Sequence, residues 1–171
     1  IIYTGRLDAE RRVDQLVTAF DQVHHKITDA TLVIYGYGGE LDRLKQQVSQ
    51  LHLETAVTFA GYQPNLTMAY DQAGAYVYTG ESDAQPLSLI EALSHGVPAI
   101  AYDINYGPKD VLKDGKNGYL VTDGAVNQLV RALTRTLESP QRQQRLSKGA
   151  YRSSEQYSDE QVWQQWQPVV Q

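Results

Sequence analysis

Three polar segments carry the residue types that hold anions, and each follows directly on a short run of β-branched or aromatic residues. The first is Gly5-Arg6-Leu7-Asp8-Ala9-Glu10-Arg11-Arg12. Arginine suits phosphate because its planar fork donates two hydrogen bonds at once and stays charged when partly desolvated. Arg6 and Arg11 could therefore grip a pair of phosphates. The same loop offers Asp8, Glu10 and Asp14 as partners, so ion pairing on a solvated helix start accounts equally well for Arg6 and is the simpler account of Arg12.

The second segment is Gly36-Tyr37-Gly38-Gly39-Glu40, between a strand pattern and a helix pattern. It begins like a dinucleotide fingerprint, but Leu41 stands at the third glycine position and the next strand, around 57–61, ends without the acid such a site needs. A nicotinamide cofactor, and with it an oxidoreductase, is set aside. A tight strand-to-helix turn with positive φ explains the glycines, and it would also let a ligand approach the backbone closely.

The third segment runs Thr79-Gly80-Glu81-Ser82-Asp83-Ala84-Gln85-Pro86-Leu87-Ser88-Leu89-Ile90-Glu91-Ala92. Pro86 suits a first helical turn. The amides of Leu87, Ser88 and Leu89 would then be helix-start donors, where unsatisfied N–H groups and the macrodipole act together on an anion. Glu91 is placed to accept hydrogen bonds from a diol such as ribose, and Asp83 to face a sugar. Both also have plainer readings, Glu91 as a carboxylate favoured near a helix start and Asp83 as a cap or turn residue.

The elements that must position these segments follow from the apolar pattern. Strand-like runs fall at 1–4, 31–35, 57–60, 75–78, 98–102 and 119–121. Between them Val13, Leu16, Val17, Phe20 and Val23 share a helical face, as do Leu41, Leu44, Val48 and Leu51, and then Val126, Leu129, Val130, Leu133 and Leu137. Strands separated by helices need crossover connections. The expected fold is therefore α/β, a Rossmann-like three-layer domain with a six-stranded parallel sheet, its ligands collecting beyond the carboxyl ends of the strands. Beyond about residue 122 the chain reads as two or three closing helices, Gln-rich through Trp163 and Trp166, with 140–171 wholly in them.

Composition narrows the partners. A chain of 171 residues fits one domain, and a net charge of −5 disfavours sequence-independent nucleic-acid binding, which needs a cationic excess. Cysteine is absent, so there is no disulfide framework or thiolate chemistry, and His24, His25, His52 and His95 lack metal-ligand spacing. Lys109, Lys113 and Lys116 alternate with Asp110 and Asp114 around a turn and read as a solvated face. No apolar run reaches the roughly 18 residues of a transmembrane helix, and the start lacks the pattern of a signal peptide.

In order and spacing, Gly5-Arg6-Leu7 with a cation at Arg11, Leu32-Val33-Ile34-Tyr35-Gly36-Tyr37-Gly38, Val57-Thr58-Phe59-Ala60-Gly61-Tyr62 and the acid-x7-Glu segment from Asp83 to Glu91 resemble the C-terminal half of GT-B retaining glycosyltransferases of family 4. The stretches Ala101-Tyr102-Asp103-Ile104-Asn105-Tyr106-Gly107-Pro108 and Asp114-Gly115-Lys116-Asn117-Gly118-Tyr119-Leu120-Val121 look like the bacterial poly(glycerol-phosphate) α-glucosyltransferase branch, itself similar to enzymes that glycosylate teichoic acid or serine-rich adhesins.

The resemblance implies a UDP-sugar donor and transfer of a hexosyl group, glucose or N-acetylglucosamine, to a cell-wall polymer or protein. Arg6 and Arg11 would hold the diphosphate. Ala84, Gln85, Pro86, Leu87, Ser88 and Leu89 would offer backbone to sugar and phosphate, Glu91 would bind ribose, and the backbone of Tyr62 and Gln63 would meet the base. Asp83 would stand by the donor sugar as a catalytic group beside Arg6 and Arg11. No cofactor or metal is implied, the setting would be cytoplasmic, and an N-terminal acceptor domain would complete the enzyme, with room for peripheral membrane association. The family usually has glutamate at Asp83, lysine at Arg11 and glycine at Ala84. The shorter Asp83 keeps an alternative open, a non-catalytic partner subunit acting as a binding or chaperone module.

Overall fold

Strand and helix alternate through most of the chain. The computed structural model describes residues 1–82 and 85–170. Its strands are β1 (Ile2–Thr4), β2 (Leu32–Tyr35), β3 (Val57–Gly61), β4 (Tyr76–Tyr78), β5 (Ala99–Asp103) and β6 (Gly118–Thr122). Helices α1 (Val13–His24), α2 (Leu41–Gln50), α3 (Thr67–Asp71), α4 (Leu87–Ser94) and α5 (Pro108–Val111) connect them, and α6 (Val126–Leu137), α7 (Pro140–Ser154) and α8 (Asp159–Val170) close the chain. The sheet is six-stranded and wholly parallel, in the order β3-β2-β1-β4-β5-β6.

Each apolar run read from the sequence becomes a strand, with its ends moved by a residue or two. The central strands β1 and β4 are buried along their whole length, as continuous apolar runs in a parallel sheet should be. Val13, Leu16, Val17, Phe20 and Val23 form the buried stripe of α1, and Leu129, Val130 and Leu133 that of α6. Helix α1 packs beside α2 and α6, whereas α4 packs beside α5 and α7. Right-handed crossovers that run outward in both directions from the sheet centre put these two groups on opposite faces.

Two short helices and a 3-10 turn were not legible as periodic patterns. Helix α3 starts where the Asn65 side chain accepts from the Thr67 amide at 2.9 Å, and α5 starts at Pro108 after Gly107, whose φ is +93°. The 3-10 turn, Ala9–Arg11, lies in the loop leaving β1. At the other end of the chain, α8 leaves Val162, Trp163 and Trp166 exposed.

The strand order reverses direction between β1 and β4, so the connections leaving these neighbours diverge and open a crevice beyond their carboxyl ends. The crevice floor is main chain. The Gly5 amide donates to the Tyr35 carbonyl at 3.0 Å and the Gly36 amide to the Gly61 carbonyl at 2.9 Å, continuing the β1-β2-β3 ladder past its last side chains. A Cβ on Gly36, at φ +138°, would stand 1.8 Å from the Gly5 carbonyl oxygen, and one on Gly38 would stand 2.3 Å from that of Leu7. The glycine run is thus a close-packed turn against the first loop.

Candidate functional site

The two loops that border the crevice are laced together. Arg12, at the left-handed φ of 49°, donates from Nε to the Thr79 carbonyl at 2.8 Å and from a terminal nitrogen to the Gly80 carbonyl at 3.0 Å. The same guanidinium meets Asp123 at 2.6 Å. Thr79 Oγ1 returns a bond to the Arg11 carbonyl at 2.7 Å, and the Glu81 amide one to the Glu10 carbonyl at 2.9 Å. Arg12 is therefore structural, as its plainer reading held, but not by pairing with Asp8, Glu10 or Asp14 on a solvated turn. Its side chain is only 12% exposed and is spent on the loops after β4 and β6.

Arg6 and Arg11 reach the crevice from the same loop and line one pocket with Tyr3, Thr4, Gly5, Tyr78, Gly80 and Ser88. Arg11, mostly buried, donates to the Tyr78 hydroxyl at 2.9 Å and lies 3.9 Å from Glu10 Oε1, which fixes its guanidinium against β4. Arg6 is 58% exposed and pairs with Asp8 at 2.7 Å and Glu10 at 2.8 Å. Pairs this exposed contribute under about 1 kcal/mol, little against a doubly charged diphosphate. The observed pairing is the alternative set out for Arg6, and it also holds the guanidinium at the crevice mouth.

Helix α4 begins on the opposite wall. Pro86 occupies the N-cap rather than the first turn, and its carbonyl accepts from the Leu89 amide at 3.0 Å. Leu89 is thus not one of the available helix-start donors. The Leu87 and Ser88 amides keep that role. Ser88 Oγ and the Tyr76 hydroxyl are 2.7 Å apart, which fixes the first turn against β4. Gln85 precedes the cap, exposed, while Asp83 and Ala84 lie outside the described residues. One turn on, Glu91 is exposed toward a pocket lined by Gln63, Leu66, Tyr70 and His95.

A third pocket, of about 290 Å³, opens over the ends of β1, β2 and β3 and is lined by Thr4, Gly5, Arg6, Tyr37, Tyr62 and Gln63 among others. The Tyr37 and Tyr62 rings stand edge to face at its rim, 6.3 Å apart, and both are largely exposed. Gln63 Nε2 donates to the Ala60 carbonyl at 3.3 Å. The three pockets share Gln63, Leu66, Thr4, Gly5 and Arg6 as boundary residues and form one groove. A roomier cavity, about 510 Å³, lies at the amino ends of β4 and β5 between Ala73, Pro98 and the glutamines of α7, and has no charged lining.

Tyrosine hydroxyls underlie this groove. The Tyr3 hydroxyl donates to the Arg6 carbonyl at 2.8 Å, and the Tyr70 hydroxyl bonds to Thr4 Oγ1 at 2.9 Å and to Glu91 at 3.2 Å. Burial pushes the Tyr3 and Tyr70 phenols upward and that of Tyr76 up to about 12, with bonds from Ser88 and Thr4 holding Tyr76 lower than burial alone would. They stay neutral donors at ordinary pH. Tyr70, Tyr76 and Tyr78 escape a reading of the sequence because they count there as apolar strand or helix residues. The available signal was Tyr76-Val77-Tyr78 itself, polar tips on a strand buried on both faces, which need partners.

The groove thus presents two arginines and a helix start at its centre, a carboxylate beside them, and aromatic rings with exposed backbone at one end. Among the described residues no three His, Asp or Glu side chains converge as a metal cluster would require, and no helix is long and apolar enough to cross a membrane.

The chain is similar in sequence and fold to known proteins. The profile of the family "Glycosyl transferases group 1" matches residues 1–153. The chain is 31% identical over 176 residues to the UDP-N-acetylglucosamine--peptide N-acetylglucosaminyltransferase GtfA subunit of Streptococcus gordonii, covering 99% of this chain and 35% of that protein. It is 28% identical over 165 residues to the poly(glycerol-phosphate) alpha-glucosyltransferase of Bacillus subtilis, covering 96% of this chain and 24% of the relative. The crystal structure of the pneumococcal O-GlcNAc transferase GtfA in complex with UDP and GlcNAc superposes with a TM-score of 0.89 at 28% identity, over 99% of this chain and 34% of that one. The chain spans about a third or less of the length of these two relatives. With the profile covering most of its length, the chain belongs to the glycosyl transferases group 1 family.

Proposed function

We propose that this chain is the donor-binding half of a retaining glycosyltransferase that takes a UDP-sugar and transfers its hexosyl group, glucose or N-acetylglucosamine, to a cell-wall polymer or protein. The observation that carries this reading is the convergence of Arg6, Arg11 and the start of α4 on one pocket at the β1/β4 switch point. The printed activities of the relatives, and UDP in the pneumococcal structure, support the same donor class.

In this reading the diphosphate lies between Arg11, Arg6 and the Leu87 and Ser88 amides, the ribose reaches Glu91, and the base enters the pocket under Tyr37 and Tyr62 against the backbone of Tyr62 and Gln63. Ala84 and Gln85 offer backbone to the donor sugar, and Asp83 stands beside it to orient the ring and stabilise positive charge. As the glycosidic bond breaks, negative charge grows on the leaving diphosphate, so fixed donors stabilise the transition state more than the bound substrate. The arginines and helix amides supply that stabilisation in place of a metal ion. An N-terminal domain would bring the acceptor, in a bacterial cytoplasmic setting that allows the full enzyme to sit at the membrane surface.

Calorimetric titration of UDP into the full-length protein tests the binding part. Saturation is expected, with affinity lowered in Arg11→Ala and Glu91→Ala; no response, or one unchanged in both variants, overturns it. Turnover is tested by UDP release with and without acceptor in the same protein. Loss in Asp83→Ala with retention in Asp83→Glu is expected, whereas UDP binding without any turnover would point instead to a non-catalytic partner subunit.

A further inference from the structure

We infer that Tyr70 is a positioning residue for the nucleotide ribose, acting through Glu91; the inference rests on the donor reading above. Glu91 sits on the exposed side of α4, where a free glutamate samples many rotamers and loses side-chain entropy when a ligand fixes it. Here it is already held. The Tyr70 hydroxyl lies 3.2 Å from Glu91 Oε2, and on its other side 2.9 Å from Thr4 Oγ1.

The proton order in this chain is determined by chemistry. An ionised Glu91 only accepts, and the Tyr70 hydroxyl is nearer to it, at 3.2 Å, than to the Ser88 carbonyl at 3.5 Å; with its one proton on that side, Tyr70 accepts from Thr4. Thr4, at the last position of β1 and 6% exposed, therefore polarises the Tyr70 hydroxyl toward the carboxylate. Oε2 takes the Tyr70 bond, and Glu91 lines the pocket that the diol would enter.

Tyr70 can do this because its ring is itself immobile. It is 2% exposed, stacked on His95 at 5.3 Å with 19° between the planes, and tilted against Tyr76 at 6.5 Å. His95, at the end of α4, has Nδ1 2.7 Å from Asp71 Oδ1 at the end of α3. The short helix α3, invisible in the periodicity of the sequence, thus carries Tyr70 under α4 and is tied there at the His95–Asp71 contact.

The test measures binding of UDP, of UDP lacking the 2′ and 3′ hydroxyls, and of inorganic diphosphate to the full-length protein. Tyr70→Phe, which removes only the hydroxyl, should weaken UDP by roughly 3- to 10-fold, the scale of one protein hydrogen bond. It should reduce the preference for UDP over the dideoxy compound by the same factor and leave diphosphate binding unchanged. Thr4→Val should move the preference in the same direction, and Tyr70→Phe combined with Glu91→Gln should prefer ribose no less than Glu91→Gln alone. Equal weakening of UDP and its dideoxy analogue in Tyr70→Phe would mark a merely structural residue and overturn the inference. A ribose preference that depends on Glu91 and survives Tyr70→Phe would overturn it while sparing the donor reading, whereas absence of UDP binding to the unmodified protein would remove both.

Discussion

The guanidinium of Arg12 lies 4.8 Å from the centre of the Tyr102 ring, and the Tyr102 hydroxyl in turn donates to Gln15 Oε1 at 2.7 Å. A cation beside the groove is thereby withdrawn from it and used to join three loops, those after β1, β4 and β6. Of three arginines within seven residues, the one nearest the helix is the rivet and the other two line the groove.

Arg12→Ala should therefore destabilise the domain by about 2 to 4 kcal/mol, from the lost bonds to Thr79, Gly80 and Asp123 and the lost ring contact. Arg12→Lys keeps the charge but not the fork and should lose about half as much. Urea unfolding of both variants checks the order. Hydrogen exchange at the Glu81 amide should accelerate in parallel.

Arg11 carries the opposite expectation, a binding defect with little loss of stability. Arg11→Ala should weaken UDP by roughly 10- to 100-fold, the range of a hydrogen bond to a charged group. Tyr78→Phe retains the charge and releases the guanidinium it anchors, so its effect should be smaller. Both should weaken inorganic diphosphate as well as UDP in calorimetric titrations.

Tyr37→Ala and Tyr62→Ala should discriminate in the other direction. Loss of an aromatic surface beside a base removes about 1 to 3 kcal/mol of stacking, so UDP should bind less tightly while inorganic diphosphate is unaffected. Equal effects on the two ligands would move the base away from this pocket.

Gly36→Ala places a Cβ 1.8 Å from the Gly5 carbonyl at a φ of +138°, where both the contact and the backbone oppose it. A loss of more than about 1 kcal/mol is expected, or at least a fall of roughly 2 to 4 °C in Tm for a domain of this size. Gly39→Ala, with open space around the new atom, serves as the neutral comparison.

Tyr76 predicts an alkaline limit. Its phenol, normally near 10, is pushed up to about 12 by burial. The neutral form is therefore favoured in the fold. The stability associated with that preference is complete below about pH 10 and is lost as pH rises through about 12, on the order of 2 to 3 kcal/mol for a shift of about two units. Urea midpoints measured from about pH 9 to 12 should fall along this limb, and Tyr76→Phe should make it shallower, the remaining slope coming from the other buried phenols, Tyr3, Tyr70 and Tyr102.

The fold was legible because strand and helix differ in period and because the central strands are unbroken apolar runs. The sheet order came only with the structure, because right-handed crossovers fix the face a helix covers and not which strands become neighbours. Of the candidate site, the sequence pointed to residues that the structure places along one groove, Arg11 and Glu91 among them, and to glycines that mark close backbone approach. Arg12 was read correctly in kind and wrongly in partners, since its acceptors come from residues 79, 80 and 123, a separation no local pattern reveals. Leu89 was counted as a free amide because the sequence could not show that the chain turns at Pro86 tightly enough for its carbonyl to take that donor. Tyr70 and Thr4 stayed hidden because a residue that supports another's carboxylate leaves no signature of its own.

The main-chain floor built from Gly5, Gly36 and Gly61 separates scaffold from selectivity. Its shape depends on a few glycines, while the rings and carboxylates around it are projected from loop ends and helix starts. Side chains at positions such as 37, 62 and 63 can be exchanged without disturbing the ladder beneath, so on the proposed reading donor preference should be retunable at the rim at little cost in stability. A library confined to that rim, with the glycines held fixed, is the direct route to altered nucleotide-sugar choice.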